Sequence, residues 1–213
     1  MKHCISEGLE RGDEAQLLNS TAKMTYSSLC EDLSKPRLAQ EGGDVEEVKR
    51  VLARLSSKVL NIHQRHAIFC LVNRLVRNKE YMCRVWGRED AMCDHDPDET
   101  GECAGVEQTV AHLYQTCGRV SEAWNWLLAF ITTVLGLPPA SVSEEELLRM
   151  TFEVPHYFDK EVTWLMGNYY EYVNKEAIGK DRVVKVAELQ AVLRGRKVAM
   201  EQKRTPLLNL GNL

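Results

Sequence analysis

The chain has 213 residues, a length that predicts one domain with short extensions and that can bury a hydrophobic core without disulfides or metal. Hydrophobic residues make up 44% and charged residues 27%, which is typical of globular proteins and excludes low-complexity or collagen-like chains. The longest apolar runs have six residues (Ala67–Val72 and Trp126–Ile131), and the N-terminus lacks an apolar signal segment. We therefore expect an intracellular protein of the nucleus or cytoplasm, neither secreted nor membrane-bound.

The net charge of −4 conceals a strong segregation of charge along the chain. Residues 61–88 and 180–213 each carry a net charge of +5. Residues 1–48 carry −5, residues 120–179 carry −6, and residues 89–108 contain eight carboxylates without any Lys or Arg. The two basic blocks are the parts of the chain from which phosphate contacts are expected, because nucleic-acid-binding surfaces are usually basic.

The first ordered element is predicted to begin at Asp44, after a flexible leader over residues 1–43. Asp44 is a good helix N-cap, and Glu47 three residues later completes the pattern of a capping box. Apolar residues at helical spacing follow from Val48 to Val59 and again from Ile68 to Val76. This periodicity stops at Gly87.

Residues 88–105 are predicted to form a loop, and helical periodicity returns in the second half of the chain. A stripe from Val120 to Leu135 ends at Gly136, with two prolines behind it. Ser143 and Glu146 form a second capping-box pattern, and another apolar stripe runs over residues 162–173. A last, basic amphipathic helix is expected from about Asp181 to Lys203.

These patterns predict an all-α fold. The predicted architecture is an irregular helical bundle over residues 44–205, with a zinc-knuckle-like segment over residues 83–120 and a flexible tail over residues 206–213. Five aromatic residues are interpreted as core, because their spacing is that of amphipathic helices: Trp124, Trp126, Trp164, Tyr169 and Tyr170. His63 and His66, one turn apart on a helix, are interpreted as surface residues.

The loop and the helix start behind it contain Cys93, Cys103, His112 and Cys117, in the pattern C-x9-C-x8-H-x4-C. Three thiolates and one imidazole make a complete tetrahedral shell for Zn²⁺ and leave no position for a substrate water. The chain has seven cysteines, an odd number, and no export signal, so a disulfide framework is not expected. A competing interpretation makes His112 part of an amphipathic helix and the cysteines small buried hydrophobes.

The residues around this pattern resemble a known family. The stretch Glu107-Gln-Thr-Val-Ala-His112-Leu-Tyr-Gln-Thr-Cys117 is followed by Arg119-Val120 and by Trp124. It resembles the zinc-binding region downstream of the reverse transcriptase in non-LTR retrotransposon polyproteins. The similarity extends over roughly residues 50–205, and its most specific part is H-L-x3-C-x-R-V.

The chain departs from the family pattern at three places. Thr100 stands where a C-x2-C pair ending at Cys103 would need its first cysteine, so Cys93 must substitute across a longer loop, with Cys83 or His95 as alternative ligands. Gly118 replaces the usual proline after the last cysteine. Gln108 separates Glu107 from Thr109, which displaces the glutamate of the family's E-T by one position.

The resemblance implies a non-catalytic module that binds zinc and an RNA or DNA backbone, with a reverse transcriptase in trans as a further expected partner. Polymerase and endonuclease motifs are absent from the sequence, so we expect no enzyme. The expected phosphate contacts come from the final helix and from four arginines of the first basic block: Arg65, Arg74, Arg77 and Arg84. The alternative is a helical protein-interaction module, or a decayed element fragment, without nucleic-acid binding.

Overall fold

A computed structural model describes residues 44–73, 75–76, 78–87, 89–95, 103, 105–134, 136 and 143–202. These residues are mostly helical and contain no strand, which confirms the all-α prediction. The predicted leader and the predicted tail lie outside the described residues. The helices are α1 (Val45–Leu55), α2 (Ile62–Val72), α3 (Lys79–Trp86), α4 (Ser121–Val134), α5 (Glu144–Arg149), α6 (His156–Val173) and α7 (Val186–Gln202), and the π-helical turns are π1 (His112–Thr116) and π2 (Asn174–Ile178).

Helix α6 lies at the centre of the fold. Every side chain from Glu161 to Tyr170 is buried, and α2, α7 and π2 pack against this helix. Trp124 of α4 and Trp164 of α6 are each 1% exposed, and Tyr169 and Tyr170 are fully buried, so the core prediction is confirmed for these four. Trp126 is only partly buried, at the edge of the core. His63 and His66 are exposed on α2, as predicted.

Arg54 attaches α1 to the connection between α5 and α6. Its guanidinium donates to the carbonyl oxygens of Met150 and Phe152 at 2.5 and 2.6 Å, and its Nη2 lies 2.7 Å from the Asp159 carboxylate. The same group stacks over the Phe152 ring at 3.6 Å. Burial lowers the pKa of Arg54, and the Asp159 carboxylate opposes that shift. A buried cation is tolerated here because carbonyl and carboxylate oxygens surround it.

Several predicted helix boundaries are correct. Helix α5 begins behind a complete capping box of Ser143 and Glu146. Gly87 ends α3 with a φ of +64°, and Gly136 follows α4 with a φ of +63°, a left-handed conformation that glycine adopts without strain.

Two predicted boundaries differ from the structure. Asp44 is the N-cap of α1, but its side chain makes no capping hydrogen bond, so the predicted box with Glu47 does not form. The last helix begins at Val186, five residues after the predicted start. Asp181 has a left-handed φ of +56°, and Val184 donates its N–H to the Arg119 carbonyl at 2.7 Å. Residues 181–185 are therefore not helical, and a backbone bond holds them against the turn that follows Cys117 before the helix starts.

Among the described residues, no helix combines the length and the apolar character that crossing a bilayer requires.

Candidate metal centre

A short antiparallel pairing brings Cys93 beside the approach to His112. Met92 and Glu107 form a single bridge, and the N–H of Cys93 donates to the Val106 carbonyl at 2.8 Å. Gln108 donates its N–H to the Ala91 carbonyl, also at 2.8 Å. These bonds close the loop predicted over residues 88–105, so ligands far apart in sequence come together.

The π-helical turn π1 aligns two of the other three predicted ligands, His112 and Cys117. Its backbone bond runs from the Cys117 N–H to the His112 carbonyl at 2.7 Å, and Thr109 Oγ1 accepts from the His112 N–H at 3.0 Å. In an α-helix, positions five apart point about 140° away from each other around the axis. The wider π turn reduces that angle, so His112 and Cys117 face one centre. This local geometry is frequent at functional sites.

The four predicted ligands form one group, the Cys3His cluster (Cys93, Cys103, His112 and Cys117), whose ligand atoms all lie within 4.8 Å of one another. The Cys117 Sγ lies 3.7 Å from the Cys103 Sγ and 3.9 Å from the Cys93 Sγ. With Zn–S bonds of about 2.3 Å, the edge between two sulfurs of a tetrahedron is about 3.8 Å. The two distances from the Cys117 sulfur match that edge, and the four residues lie close enough to hold a metal ion.

The His112 ring leaves one nitrogen for a ligand. Its Nδ1 lies 3.1 Å from Thr116 Oγ1, whereas Nε2 is buried and has no hydrogen-bond partner. Metal-bound histidines usually carry such a partner on the other ring nitrogen, which fixes the ring and its tautomer. Burial, with a smaller effect of His95, lowers the pKa of His112 and favours the neutral imidazole that metals bind.

Polar groups of the chain also surround the sulfurs. Gly118 donates its backbone N–H to the Cys103 Sγ at 3.3 Å, and Gln108 Nε2 lies 3.9 Å from the Cys93 Sγ. Burial and the two neighbouring thiols raise the pKa of Cys117 to about 12, while an N–H bond from Arg119 opposes the shift. A metal ion would replace these protons, because thiols coordinate as thiolates.

Neither alternative ligand belongs to the cluster. Cys83 lies on α3, and His95, which is 3% exposed, accepts at its Nδ1 from Arg119 Nε at 2.7 Å. The Arg119 guanidinium also forms an ion pair with Asp181. His95 thus joins the loop of Cys93 to the turn behind Cys117 and to the segment that precedes α7.

The structure gives less support to the four arginines expected to contact phosphate. Arg65 is half-buried, and its Nη2 donates to the Ser57 carbonyl at 2.8 Å. Arg74 and Arg77 lie outside the described residues, as does the side chain of Arg84 on α3. Of these four side chains, the structure therefore describes only that of Arg65, and the predicted phosphate contacts stay a prediction.

Sequence reasoning missed the polar groups that support the cluster. Thr116 and Gln108 fall within the family-like stretch, but their residue types give no sign of contact with a ligand. Gly118 gives the one signal in the sequence for such a contact. A glycine in place of the usual proline supplies a backbone N–H donor, which proline lacks.

The described residues thus form a helical fold with a Cys3His cluster, three of whose four residues are buried, at the junction of a loop and a π-helical turn. Comparison with protein-family models, with curated proteins and with solved structures returns no significant match. The resemblance to the retrotransposon zinc-binding region therefore stays a prediction from the sequence motif.

Proposed function

We propose that this chain is a non-catalytic module that binds one Zn²⁺ at the Cys3His cluster and the phosphate backbone of RNA or DNA at its basic surface. The observation that carries the zinc proposal is the tetrahedral spacing of the sulfurs, together with the unpartnered Nε2 of His112. A soft donor set of three thiolates and one imidazole in a tetrahedron favours Zn²⁺ over harder ions such as Mg²⁺ or Ca²⁺.

The donor count supports a structural role for the ion. Four protein ligands fill a tetrahedral shell, so no position would remain for a water molecule to be activated. The ion would instead hold together the loop that carries Cys93 and Cys103. Residues 89–108 contain eight carboxylates, which repel one another. Lys79 supports the same loop through ion pairs with Asp90 and Asp94.

The zinc proposal is tested by metal analysis of the purified protein. Native mass spectrometry should find one zinc per chain, lost after treatment with a strong chelator. Cys117→Ser should remove stoichiometric zinc, because a serine hydroxyl does not replace a thiolate. Cys70→Ser is the matched control, since Cys70 lies on α2 outside the cluster. A full equivalent of zinc in the Cys117 variant would refute the assignment.

A shared hydrogen-bond partner on α6, Glu171, supports the nucleic-acid proposal because it connects the two basic blocks. Asn61, where the first block begins, donates to Glu171 Oε2 at 3.5 Å. Arg196 of the second block donates to the same oxygen at 2.6 Å. The start of α2 and the second half of α7 therefore adjoin across α6, and Arg194 is exposed on α7. Adjoining basic segments can follow a phosphate backbone continuously.

Binding of this kind is expected to be weak, independent of sequence and sensitive to salt. Each phosphate contact releases roughly one counterion, so the affinity should fall steeply between about 50 and 200 mM salt. Reversal of Arg74, Arg77 and Arg84 to glutamate should weaken binding to all sequences and reduce the salt slope by about two to three units if each contacts a phosphate. Fluorescence anisotropy with single-stranded and duplex oligonucleotides measures both effects.

The matched control reverses three cations outside the basic blocks: Lys49, Arg149 and Lys160. This control should leave the salt slope unchanged. Wild-type binding without salt dependence, or no binding at low salt, would contradict the nucleic-acid proposal and leave the zinc proposal standing. Metal-dependent cleavage that is lost on changing one residue of this chain would contradict its non-catalytic character.

A further inference from the structure

A cleft of about 500 Å³ lies beside the metal centre, between the end of α2, the start of α3, the approach to π1, and α5. Its apolar lining comes from Leu71 and Val72 on α2, from Val110 and Ala111 ahead of His112, and from Leu148 on α5. Its volume falls within the range of clefts that take a ligand or a few side chains of a partner.

Among the residues that the structure describes, the charge around this cleft is negative. Three carboxylates line it, those of Glu80, Glu144 and Glu145, against the guanidinium of Arg149. Arg149 lies 2.8 Å from Glu145 in an exposed ion pair, so the cleft keeps an excess of negative charge. These carboxylates disfavour a phosphate group inside the cleft and favour a cationic ligand.

The walls of the cleft are fixed by hydrogen bonds between its elements. Gln115 donates its Nε2 to the Glu144 carbonyl at 2.9 Å, and Trp124 donates its Nε1 to the Glu144 carboxylate at 2.8 Å. Gln108 accepts from the Lys79 N–H at 3.0 Å, which joins the start of α3 to the loop. A preformed cleft of this kind loses little conformational entropy on binding.

We propose that this cleft docks a cationic, leucine-bearing segment of a partner protein. Apolar side chains of the segment would enter between Val72, Val110 and Leu148, while its Lys or Arg groups pair with the carboxylates around them. Charge complementarity selects this occupant: an acidic peptide would meet like charge at the rim, and a purely polar basic peptide would leave the apolar lining in water.

The experiment uses the zinc-loaded full chain and a fluorescein-labelled amphipathic peptide of leucine and lysine. Anisotropy should show binding of this peptide, and much weaker binding of the versions with Glu in place of Lys or Ser in place of Leu. The double variant Glu80→Gln with Glu145→Gln should weaken binding by about fivefold, the effect of two partly exposed charge pairs. The matched double variant Glu122→Gln with Glu153→Gln removes the same charge from exposed positions elsewhere and should bind like the wild type.

A photo-crosslinking version of the peptide locates the site without any substitution. Cross-links are expected on Val72, Val110 or Leu148, and their absence there would overturn the proposal. Equal loss of affinity in the two double variants would also overturn it, because binding would then follow net charge alone. Circular dichroism of each variant separates a loss of docking from a loss of folding.

Discussion

At the scale of single residues, the backbone of Gly118 contributes to the Cys3His cluster. Its N–H donates to the Cys103 Sγ at 3.3 Å, and Cys103 is fully buried. Hydrogen bonds to a coordinating sulfur stabilise the thiolate and tune the site. Proline cannot make this bond, so the departure from the family-like pattern has a chemical consequence.

The variant Gly118→Pro is therefore expected to bind zinc more weakly than the wild type, by about 10- to 100-fold, the usual cost of losing an outer-shell partner. Gly118→Ala keeps the N–H and should retain an affinity close to that of the wild type. Competition with a chromophoric chelator measures the affinities. Equal affinities for the proline and alanine variants would show that the N–H does not matter.

Glu176 is a second residue whose environment determines a measurable property. Its side chain is nearly buried on π2, with Lys180 at 2.8 Å and Arg182 at 3.2 Å. The hydrogen bond and ion pair with Lys180, aided by Arg182, lower the pKa of this carboxyl from its ordinary value of 4.5. A lowered pKa in the folded state means that the ionised form stabilises the fold near neutral pH.

That stabilisation should be lost as the pH falls below 4.5 through the lowered pKa. Glu176→Gln should therefore melt at a lower temperature than the wild type at pH 7, and the difference should shrink at acidic pH. Glu122→Gln, an exposed position on α4, is the control and should show no such dependence. Scanning calorimetry across the pH range measures the difference in melting temperature between variant and wild type. A difference that does not change with pH would contradict a lowered pKa of Glu176.

At the scale of helices, the contact of α2 with α6 depends on Gly167. A Cβ added there would lie 2.5 Å from Leu60 Cδ2 and 3.4 Å from Gln64 Cβ. Gly195 on α7 is the opposite case, since a Cβ added there meets nothing within 4 Å. Alanine variants at these two positions therefore separate the effect of packing on stability, present only at position 167, from the effect of helix propensity, present at both.

Gly167→Ala should lower the free energy of unfolding, because overpacking costs about 1–3 kcal/mol, more than the roughly 1 kcal/mol that alanine gains in a helix. Gly195→Ala should raise it by about 1 kcal/mol. Shortening the neighbour in the double variant Gly167→Ala with Leu60→Ala should make the two changes strongly non-additive. Urea denaturation measures the free energy of unfolding of all three variants. A Gly167→Ala variant more stable than the wild type would show that Leu60 does not restrict this position.

At the scale of the whole molecule, the metal centre is joined to the C-terminal helix. Arg119 lies two residues after Cys117. Its guanidinium pairs with Asp181, and its carbonyl oxygen accepts a hydrogen bond from the Val184 N–H. The chain enters α7 from this contact. Loss of the metal should therefore affect a helix that supplies no ligand.

Chelation is accordingly expected to increase amide hydrogen exchange over residues 181–190 as well as around the cluster. Helix α1, which is attached through Arg54 to the connection between α5 and α6, should change less and serves as the internal reference. Hydrogen exchange with mass spectrometry measures both regions. A change confined to the cluster loop would show that α7 docks independently of the metal.

Helix boundaries that depend on nearby residues could be predicted from the sequence, and a boundary that depends on a distant residue could not. The end of α4 near Gly136 and the start of α5 behind Ser143 were correct, because glycine termination and a capping box act within a few residues. The start of α7 was wrong, since it depends on a carbonyl at Arg119 that lies far away in sequence. The spacing of apolar residues, taken alone, predicts a helix that starts near Asp181.

The sequence by itself determined the all-α class and pointed to Cys103, His112 and Cys117, with Cys93, Cys83 or His95 as the fourth ligand, because periodicity and ligand chemistry are written in residue types and their spacing. Only the tertiary structure decided that Cys93, and neither Cys83 nor His95, completes the group that could hold a metal. The loop pairing and the π turn set those distances through backbone bonds. Backbone bonds of this kind join carbonyl and N–H groups that every residue type carries, so the sequence leaves no sign of which ones will pair.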